Sequence, residues 1–407
     1  MTILFGHPTG NPNSHNAALA HYEAGRLEAF CLPWMPTRSE LALLRAIPGL
    51  ESYVNRLERR HCPALAVAPR VEDRLGEWVR MLRRIAFDGR FDSEAISYEA
   101  NDWLMRTMAK ECRRHAVTSV HAYEDCSFEQ FTEAKRLGKA CIYELPAGYY
   151  PAWERVEDAL HERFGHWLAP GGSPSARYVR PDQKRREMEL ADLVLVPCGF
   201  ARSTVELHVD KPVAVTPYGV DSGFWQPRPN ANPRREGPLR FIYAGSISLR
   251  KGIPVLFEAW KRAGLANATL ELVGSWQFPG INRSVVPPGV SMSGPRSQAG
   301  LRARFWESDV FVFPSFFEGF GLVILEALAC GLPVIGSDAC AAPDVLAMEY
   351  GRVFPAGDVD ALAGLLQWFA DHRGEVPAMG LAARAAASGR GWPHYRAIVT
   401  AAVDSIA

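Results

Sequence analysis

The sequence has no surplus of charge of either sign: 45 lysines and arginines stand against 45 aspartates and glutamates, a net charge of +0 at neutral pH. A chain that tracks a nucleic-acid backbone needs a cationic excess, so that class is set aside. It has no cysteine framework either. Eight cysteines (Cys31, Cys62, Cys112, Cys126, Cys141, Cys198, Cys330 and Cys340) are scattered through 407 residues without a C-x-x-C pair, the pattern of reduced thiols in a cytoplasmic protein. No run of eighteen uncharged apolar residues occurs; the nearest, Gly321 to Gly336, is broken by Glu326, so no membrane span is expected. The opening residues lack the basic start and long apolar stretch of a signal peptide and read as a first strand. A soluble, cytoplasmic chain is the expectation, and the sequons at Asn267 and Asn282 are read as chance matches.

What is present is globular: 48% hydrophobic and 22% charged residues exclude a disordered or collagen-like chain. Short β-rich runs alternate with longer amphipathic stretches. The runs are Ile3 to Phe5, Val117 to Val120, Ala140 to Tyr143, Leu193 to Val196 and Val213 to Thr216, then Leu239 to Tyr243, Leu270 to Val273, Val310 to Phe313 and Pro333 to Ile335. Such alternation predicts an α/β architecture with parallel sheets covered by helices on both faces. The proline-rich stretch 226–238 reads as a linker. It divides the chain into an N-terminal α/β domain, 1–225, and a smaller C-terminal one, 239–391. Open sheets of this type bind ligands at the carboxyl ends of their strands, so the cleft between the two domains is the expected site.

The richest segment runs from Phe311 to Asp338 (FVFPSFFEGFGLVILEALACGLPVIGSD). A strand ends at Pro314-Ser315, a short loop carries Glu318, Gly319, Phe320 and Gly321, and a helix follows. Glycines there let backbone amides turn toward a ligand, and the helix start adds free N–H groups and the positive dipole end. Glu318 and Glu326 are eight residues apart, about 12 Å along a helix axis if one helix carries both. That exceeds the roughly 5–9.5 Å of a glycosidase carboxylate pair. It suits two groups gripping the ends of one long ligand, such as a nucleotide-sugar. Other motifs fail on spacing. His161 and His166 stand at i and i+5, not the i and i+4 of a helical zinc pair. Gly319 and Gly321 lack the third glycine of a dinucleotide fingerprint. The pair Asp358 and Asp360 has the D-x-D form of a metal motif but lies late in the chain, beyond the Phe311 to Asp338 segment. The arginine-rich stretch Arg56 to Arg90 also holds five acids and reads as a solvated helical face.

E-G-F-G-L-V-I-L-E (318–326) followed by A-L-A-C-G-L-P-V-I resembles the E-x7-E region of retaining GT-B glycosyltransferases of glycosyltransferase family 4. Further stretches resemble the same family in the same order: Ala191 to Pro197, Thr216 to Asp221, Ala244-Gly245 through Arg250-Lys251-Gly252, and Leu272 to Gly274. The likeness is strong over 191–360 and loose before it. It implies two Rossmann-like domains facing across a cleft, with a C-terminal helix, 392–407, crossing back onto the N-terminal domain. It implies transfer of a hexose-type sugar from a UDP or GDP sugar to an acceptor hydroxyl with retention of configuration, in glycan, polysaccharide or glycolipid biosynthesis. Residue by residue, Glu326 resembles the ribose-binding carboxylate and Glu318 the group near the reacting end of the sugar. Lys251 resembles the cation that neutralises the leaving diphosphate, with Arg250 beside it, and the backbone of Gly319, Phe320, Gly321 and Leu322 would hold sugar and phosphate. The opening loop, His7 to Asn16, would pass close to the phosphates with Gly10 making the close approach, and His121 would be the acceptor-side catalytic histidine.

Two positions depart from the family pattern. Ser246 stands where an arginine usually follows Gly245, and Tyr123 takes the place of the second histidine of an H-x-H stretch. Those departures keep a non-catalytic sugar-nucleotide-binding homologue in view beside the enzyme; a GT-B nucleotide-sugar epimerase is the other alternative, against which the 318–326 segment argues. No cofactor and no metal ion is expected, the nucleotide-sugar being a substrate. The expected partners are that donor and a glycan or lipid-linked acceptor, with weak peripheral contact at the inner face of the membrane left open.

Overall fold

A computed structural model describes residues 1–86, 93–167, 180–229, 237–278, 280–281 and 283–406. The first sheet comprises β1 (Ile3–Gly6), β2 (Leu27–Leu32), β3 (Arg70–Glu72), β4 (Ser119–Tyr123), β5 (Ala140–Glu144), β6 (Leu193–Val196) and β7 (Val213–Val215). Its order is β3-β2-β1-β4-β5-β6-β7, and every pairing is parallel. The second comprises β8 (Leu239–Ala244), β9 (Ala268–Val273), β10 (Val290–Met292), β11 (Val310–Phe313), β12 (Val334–Ser337) and β13 (Gly351–Phe354). It runs β10-β9-β8-β11-β12-β13, again all parallel. Both sheets are sandwiched by helices, which is why strands such as Leu193–Val196 and Val310–Phe313 are apolar at every position and buried along their whole length.

Strand order reverses between β1 and β4 in one sheet and between β8 and β11 in the other. Those switch points open a crevice at the carboxyl ends, and they set where a ligand can enter. Four strands were not anticipated from sequence. The edge strands β3 and β10 are three residues each, too short to show a period, while β2 and β13 carry Glu28 and Arg352 in their runs. Some anticipated edges move by a residue or two: β4 begins at Ser119 rather than Val117, and β12 at Val334 rather than Pro333. Residues 230–236 of the linker and Asn282 lie outside the described residues.

Four helices of the N-terminal half matter below: α1 (Pro12–Glu23), α2 (Arg38–Arg45), α3 (Glu51–Glu58) and α4 (Arg74–Ala86). Helix α1 starts in a capping box, Asn11 Oδ1 accepting from Ser14 N–H at 2.9 Å and Ser14 Oγ from Asn11 N–H at 2.9 Å, worth about 1 kcal/mol. The last helix, Trp392–Asp404, returns to the first sheet. Arg396 bonds Glu23 and Asn16 on α1 at 2.8 Å each, and the Tyr395 hydroxyl reaches Glu144 at 3.3 Å. A small second core, Trp34, Leu41, Leu44, Leu50, Tyr53, Val54, Leu57 and Met81, sits apart from the main one beneath α2, α3 and α4.

Candidate active site

Three strand ends of the second sheet meet at one cavity of about 540 Å³. β8 delivers Gly245 and Ser246, β9 delivers Gly274 and Ser275, and the loop after β11 brings Glu318, Phe320 and Gly321. The first sheet closes the cavity with Asn13, Pro146 and Tyr218. Strand ends can approach this closely because a Cβ on Gly274 would lie 1.7 Å from the Gly245 carbonyl oxygen.

Lys251 lies just before the helix Ile253–Ala263 with its side chain 11% exposed. Its ammonium is paired with the Glu318 carboxylate and stands 5.3 Å from the Phe313 ring centroid, a cation–π approach. Burial first, and the Arg250 charge second, pull Lys251 down to about 7; the carboxylate on its Nζ works the other way and supports the ammonium form. Arg250 does not line the cavity. Its Nη1 donates to the Phe317 carbonyl at 3.1 Å, so its guanidinium holds up the loop that carries Glu318.

The helix Leu322–Ala329 begins at Gly321, whose backbone is left-handed at φ 83°, and no side chain caps it. Glu318 therefore sits in the loop where the sequence placed it, and the helical spacing of about 12 Å does not apply to the two glutamates. Glu318 lies in the loop, its N–H donating to the Ala339 carbonyl at 3.0 Å, and the left-handed turn at Gly321 separates it from the helix. Glu326 lies one turn in and lines the cavity. Burial pushes its carboxyl up to about 7, and no hydrogen bond or ion pair engages it among the described residues. The cavity wall thus carries a buried cation, an uncapped helix start and an unpartnered carboxylate, which together match an anionic group flanked by hydroxyls.

Besides Arg250, three residues assigned from the resemblance do not line the cavity: Gly319, packed against the Pro146 carbonyl, Gly10 and His121. Gly10 is buried in a turn with φ 70°, its N–H donating to His7 Nδ1 at 2.9 Å, and Asn13 takes the place at the wall. His121 is fully buried in β4, where Nδ1 meets His21 Nε2 at 2.8 Å and Nε2 meets Glu144 at 3.1 Å. Burial holds His121 near 3 and raises Glu144 to about 8, so both are neutral near pH 7. His121 is a core histidine rather than a group at the reacting centre. Tyr123 lies beside it, its ring stacked at 6.3 Å. Asp358 caps the helix Val359–Asp371 through Ala361 N–H, and Asp360 pairs with Arg262. No cluster of metal-binding side chains occurs among the described residues.

Asn13, Tyr218, Ser275 and Arg296 line the cavity without having been singled out. Two of them carried a signal: Asn13 stands inside the opening loop His7 to Asn16, and Tyr218 inside the Thr216 to Asp221 stretch, its ring 5.5 Å from Phe320.

The Glu318 loop is also part of the contact between the domains. Phe317 lies between Trp153 and Phe200 of the N-terminal domain at 5.4 and 5.3 Å. A Cβ on Gly148 would fall 2.4 Å from its ring, and one on Gly319 would fall 1.8 Å from the Pro146 carbonyl oxygen. The Cys198 thiol donates to the Gly319 carbonyl at 2.7 Å, and Gly199 N–H donates to Asp344 at 2.6 Å.

Residues 238–372 match the family described as glycosyl transferases group 1. The chain is 48% identical over 261 residues to O-antigen chain mannosyltransferase B of Escherichia coli, covering 58% of this chain and 68% of that relative. It is 29% identical over 214 residues to the MMP alpha-(1->4)-mannosyltransferase of Mycolicibacterium hassiacum, covering 49% of this chain and only half of that one. Among solved structures, sucrose-phosphate synthase from Thermosynechococcus elongatus superposes with a TM-score of 0.65 at 16% identity over 100% of this chain and 99% of that one. Anabaena HepE in complex with UDP superposes with a TM-score of 0.61 at 16% identity over the whole of both chains. The two parallel sheets, the cleft between them and these matches together place the chain in the group 1 glycosyltransferases, GT-B enzymes of the glycosyltransferase family 4 type.

Proposed function

We propose that the chain transfers a mannose-type hexose from a nucleotide-sugar to a hydroxyl of a glycan or lipid-linked acceptor, with retention at the anomeric carbon. The observation that carries this reading is one cavity whose wall holds Lys251, Glu318, the uncapped start of Leu322–Ala329 and Glu326. A donor's diphosphate fits between Lys251 and the helix start, and the two ribose hydroxyls would donate to Glu326. In the structure Lys251 is paired with Glu318. An incoming diphosphate competes for the ammonium and releases the Glu318 carboxylate to accept from sugar hydroxyls. Negative charge grows on the diphosphate as the glycosidic bond breaks, so a cation fixed there favours the transition state over the ground state. The mannosyl preference rests on the two mannosyltransferase relatives.

The reading is tested by incubating the purified chain with GDP- and UDP-linked hexoses and following nucleoside diphosphate release, with and without EDTA. Release from one donor class that survives EDTA supports a transferase whose cation is a side chain. A dependence on Mg²⁺ or Mn²⁺ overturns the metal-independent part. Absence of release from every donor, with nucleotide binding intact, favours a binding homologue instead. NMR of the product's anomeric signal decides retention.

A further inference from the structure

The chain leaves the first domain along one wall of the cavity, where Tyr218 stands. Just beyond it, Val220 N–H donates to the Arg390 carbonyl at 2.9 Å. A Cβ on Gly219 would fall 2.5 Å from the Trp392 backbone nitrogen. The two passages of chain between the domains therefore lie against each other. From Ser222 onward the backbone is held by the second domain. Arg384 donates to the Ser222 carbonyl at 3.1 Å and to the Trp225 carbonyl at 2.8 Å. Arg302 donates to the Phe224 carbonyl at 2.8 Å, and Trp306 Nε1 to the Gln226 carbonyl at 2.7 Å. Four carbonyls within five residues are thus taken up by side chains of two helices, Gln298–Trp306 and Val376–Ser388.

Arg384 makes a third bond of a different kind. Its Nη1 also donates to the Ala329 carbonyl at 2.9 Å. Ala329 ends the helix Leu322–Ala329, whose start opens on the cavity and which carries Glu326. A carbonyl at a helix C-terminus has no partner within the helix and lies at the negative end of its dipole. A guanidinium there both satisfies that carbonyl and fixes it in place. The packing behind the bond is tight: a Cβ on Gly380 would fall 2.5 Å from the Gly331 carbonyl oxygen. The helix has eight residues, a rod of about 12 Å. Whatever grips Ala329 therefore sets where Glu326 and the helix start stand in the cavity. The Arg302 bond, by contrast, reaches the crossing segment and leaves Ala329 untouched.

We propose that Arg384 is a positioning residue for the donor. It yokes the segment that crosses between the domains to the helix that carries Glu326, so the two walls of the cavity move together. The inference rests on the reading of Glu326 as a nucleotide contact. Hydrogen–deuterium exchange of the ligand-free chain tests the clamp itself: R384Q should speed exchange of the 322–332 amides at least about tenfold. Calorimetry with GDP and UDP then tests the role. R384Q, shown folded by circular dichroism, should bind the preferred nucleotide about tenfold more weakly. R384K keeps the charge but cannot fork across three carbonyls, so it should recover only part of that loss. R302Q should leave affinity within about twofold, since it loosens the crossing segment without releasing Ala329. In a Glu326→Ala background R384Q should cost less than about twofold, because the group it positions is gone. Equal losses in R384Q and R302Q, or a full further tenfold loss in the Glu326→Ala background, overturn the role. Unchanged exchange in R384Q overturns the clamp alone, whereas a wild-type chain that binds neither GDP nor UDP overturns the transferase reading together with this role.

Discussion

On one side of the cleft a cation and two carboxylates stand at the cavity wall; on the other, the polar groups behind the strand ends are sealed and neutral. Lys251, Glu318 and Glu326 are half-buried or deeper yet open to one space. His121, His21, Glu144 and Tyr395 form an equally polar set, but it has no access to that space and lies fully buried between β4, β5, α1 and the last helix. The first set keeps unpaired capacity for a ligand, whereas the second satisfies itself. Polar residues behind a strand end therefore indicate chemistry only when something is left for a ligand to complete.

That contrast can be broken by substitution. The largest effect is expected at Lys251: Lys251→Ala should lower kcat about 10²–10³-fold, roughly 3–4 kcal/mol, with a smaller change in the KM for donor. Steady-state kinetics, with circular dichroism to confirm folding, decides it, and near-normal kcat would move the phosphate-neutralising role elsewhere. Glu326→Ala should weaken nucleoside diphosphate binding by about 2–3 kcal/mol, read by calorimetry; unchanged affinity in a folded variant removes the ribose assignment. His121→Phe should do the opposite of both. It leaves Glu144 Oε2 and His21 Nε2 without their His121 partner, costing about 1–3 kcal/mol of stability in a denaturant titration, and leaves nucleotide affinity as it was.

The smallest effect sharpens the comparison through pH. Glu326, raised to about 7, must lose its proton to accept two ribose hydroxyls, so affinity rises as pH climbs to 7. Lys251, lowered to about 7, must keep its proton to hold the diphosphate, so affinity falls above that. Nucleoside diphosphate binding should therefore peak near pH 7, with E326Q flattening the acid limb. A profile that still falls on the acid side in E326Q would assign that limb to another group. The sealed set acts on stability instead. His7, His21 and His121 all have lowered pKa values, so the unfolded chain takes up protons that the folded one refuses. Stability from these groups is present above about 6.5 and is lost as pH falls toward 3.

The cavity wall built by the second sheet was legible because its parts are contiguous: Glu318 to Glu326 lie within nine residues, and Lys251 stands just before the helix it precedes. The N-terminal wall was not. Asn13, Pro146 and Tyr218 are brought together only by sheet order, across more than 200 residues, and no local period links them. His121 was misread for the same reason. Its type and strand-end position suggested chemistry, but its burial depends on His21 and Glu144, each on another element. The charged network beneath α4 was hidden by composition, since Arg60 and Arg80 look solvated until Glu77 and Asp73 are seen beside them. The alternation of short apolar runs gave away the α/β class, while the three-residue edge strands left no pattern to find.

The seating of Phe317 between Trp153 and Phe200 ties the timing of reaction to the shape of the whole molecule. The residue next to Glu318 is gripped by the opposite domain, so separating the domains would slacken the loop that lines the cavity. An open molecule could then hold a donor without having its reactive end assembled, and stray water would find little help in cleaving it. Phe317→Ala should blur that distinction, lowering transfer about tenfold while the ratio of donor hydrolysis to transfer rises, and that ratio is the quantity through which such economy becomes visible.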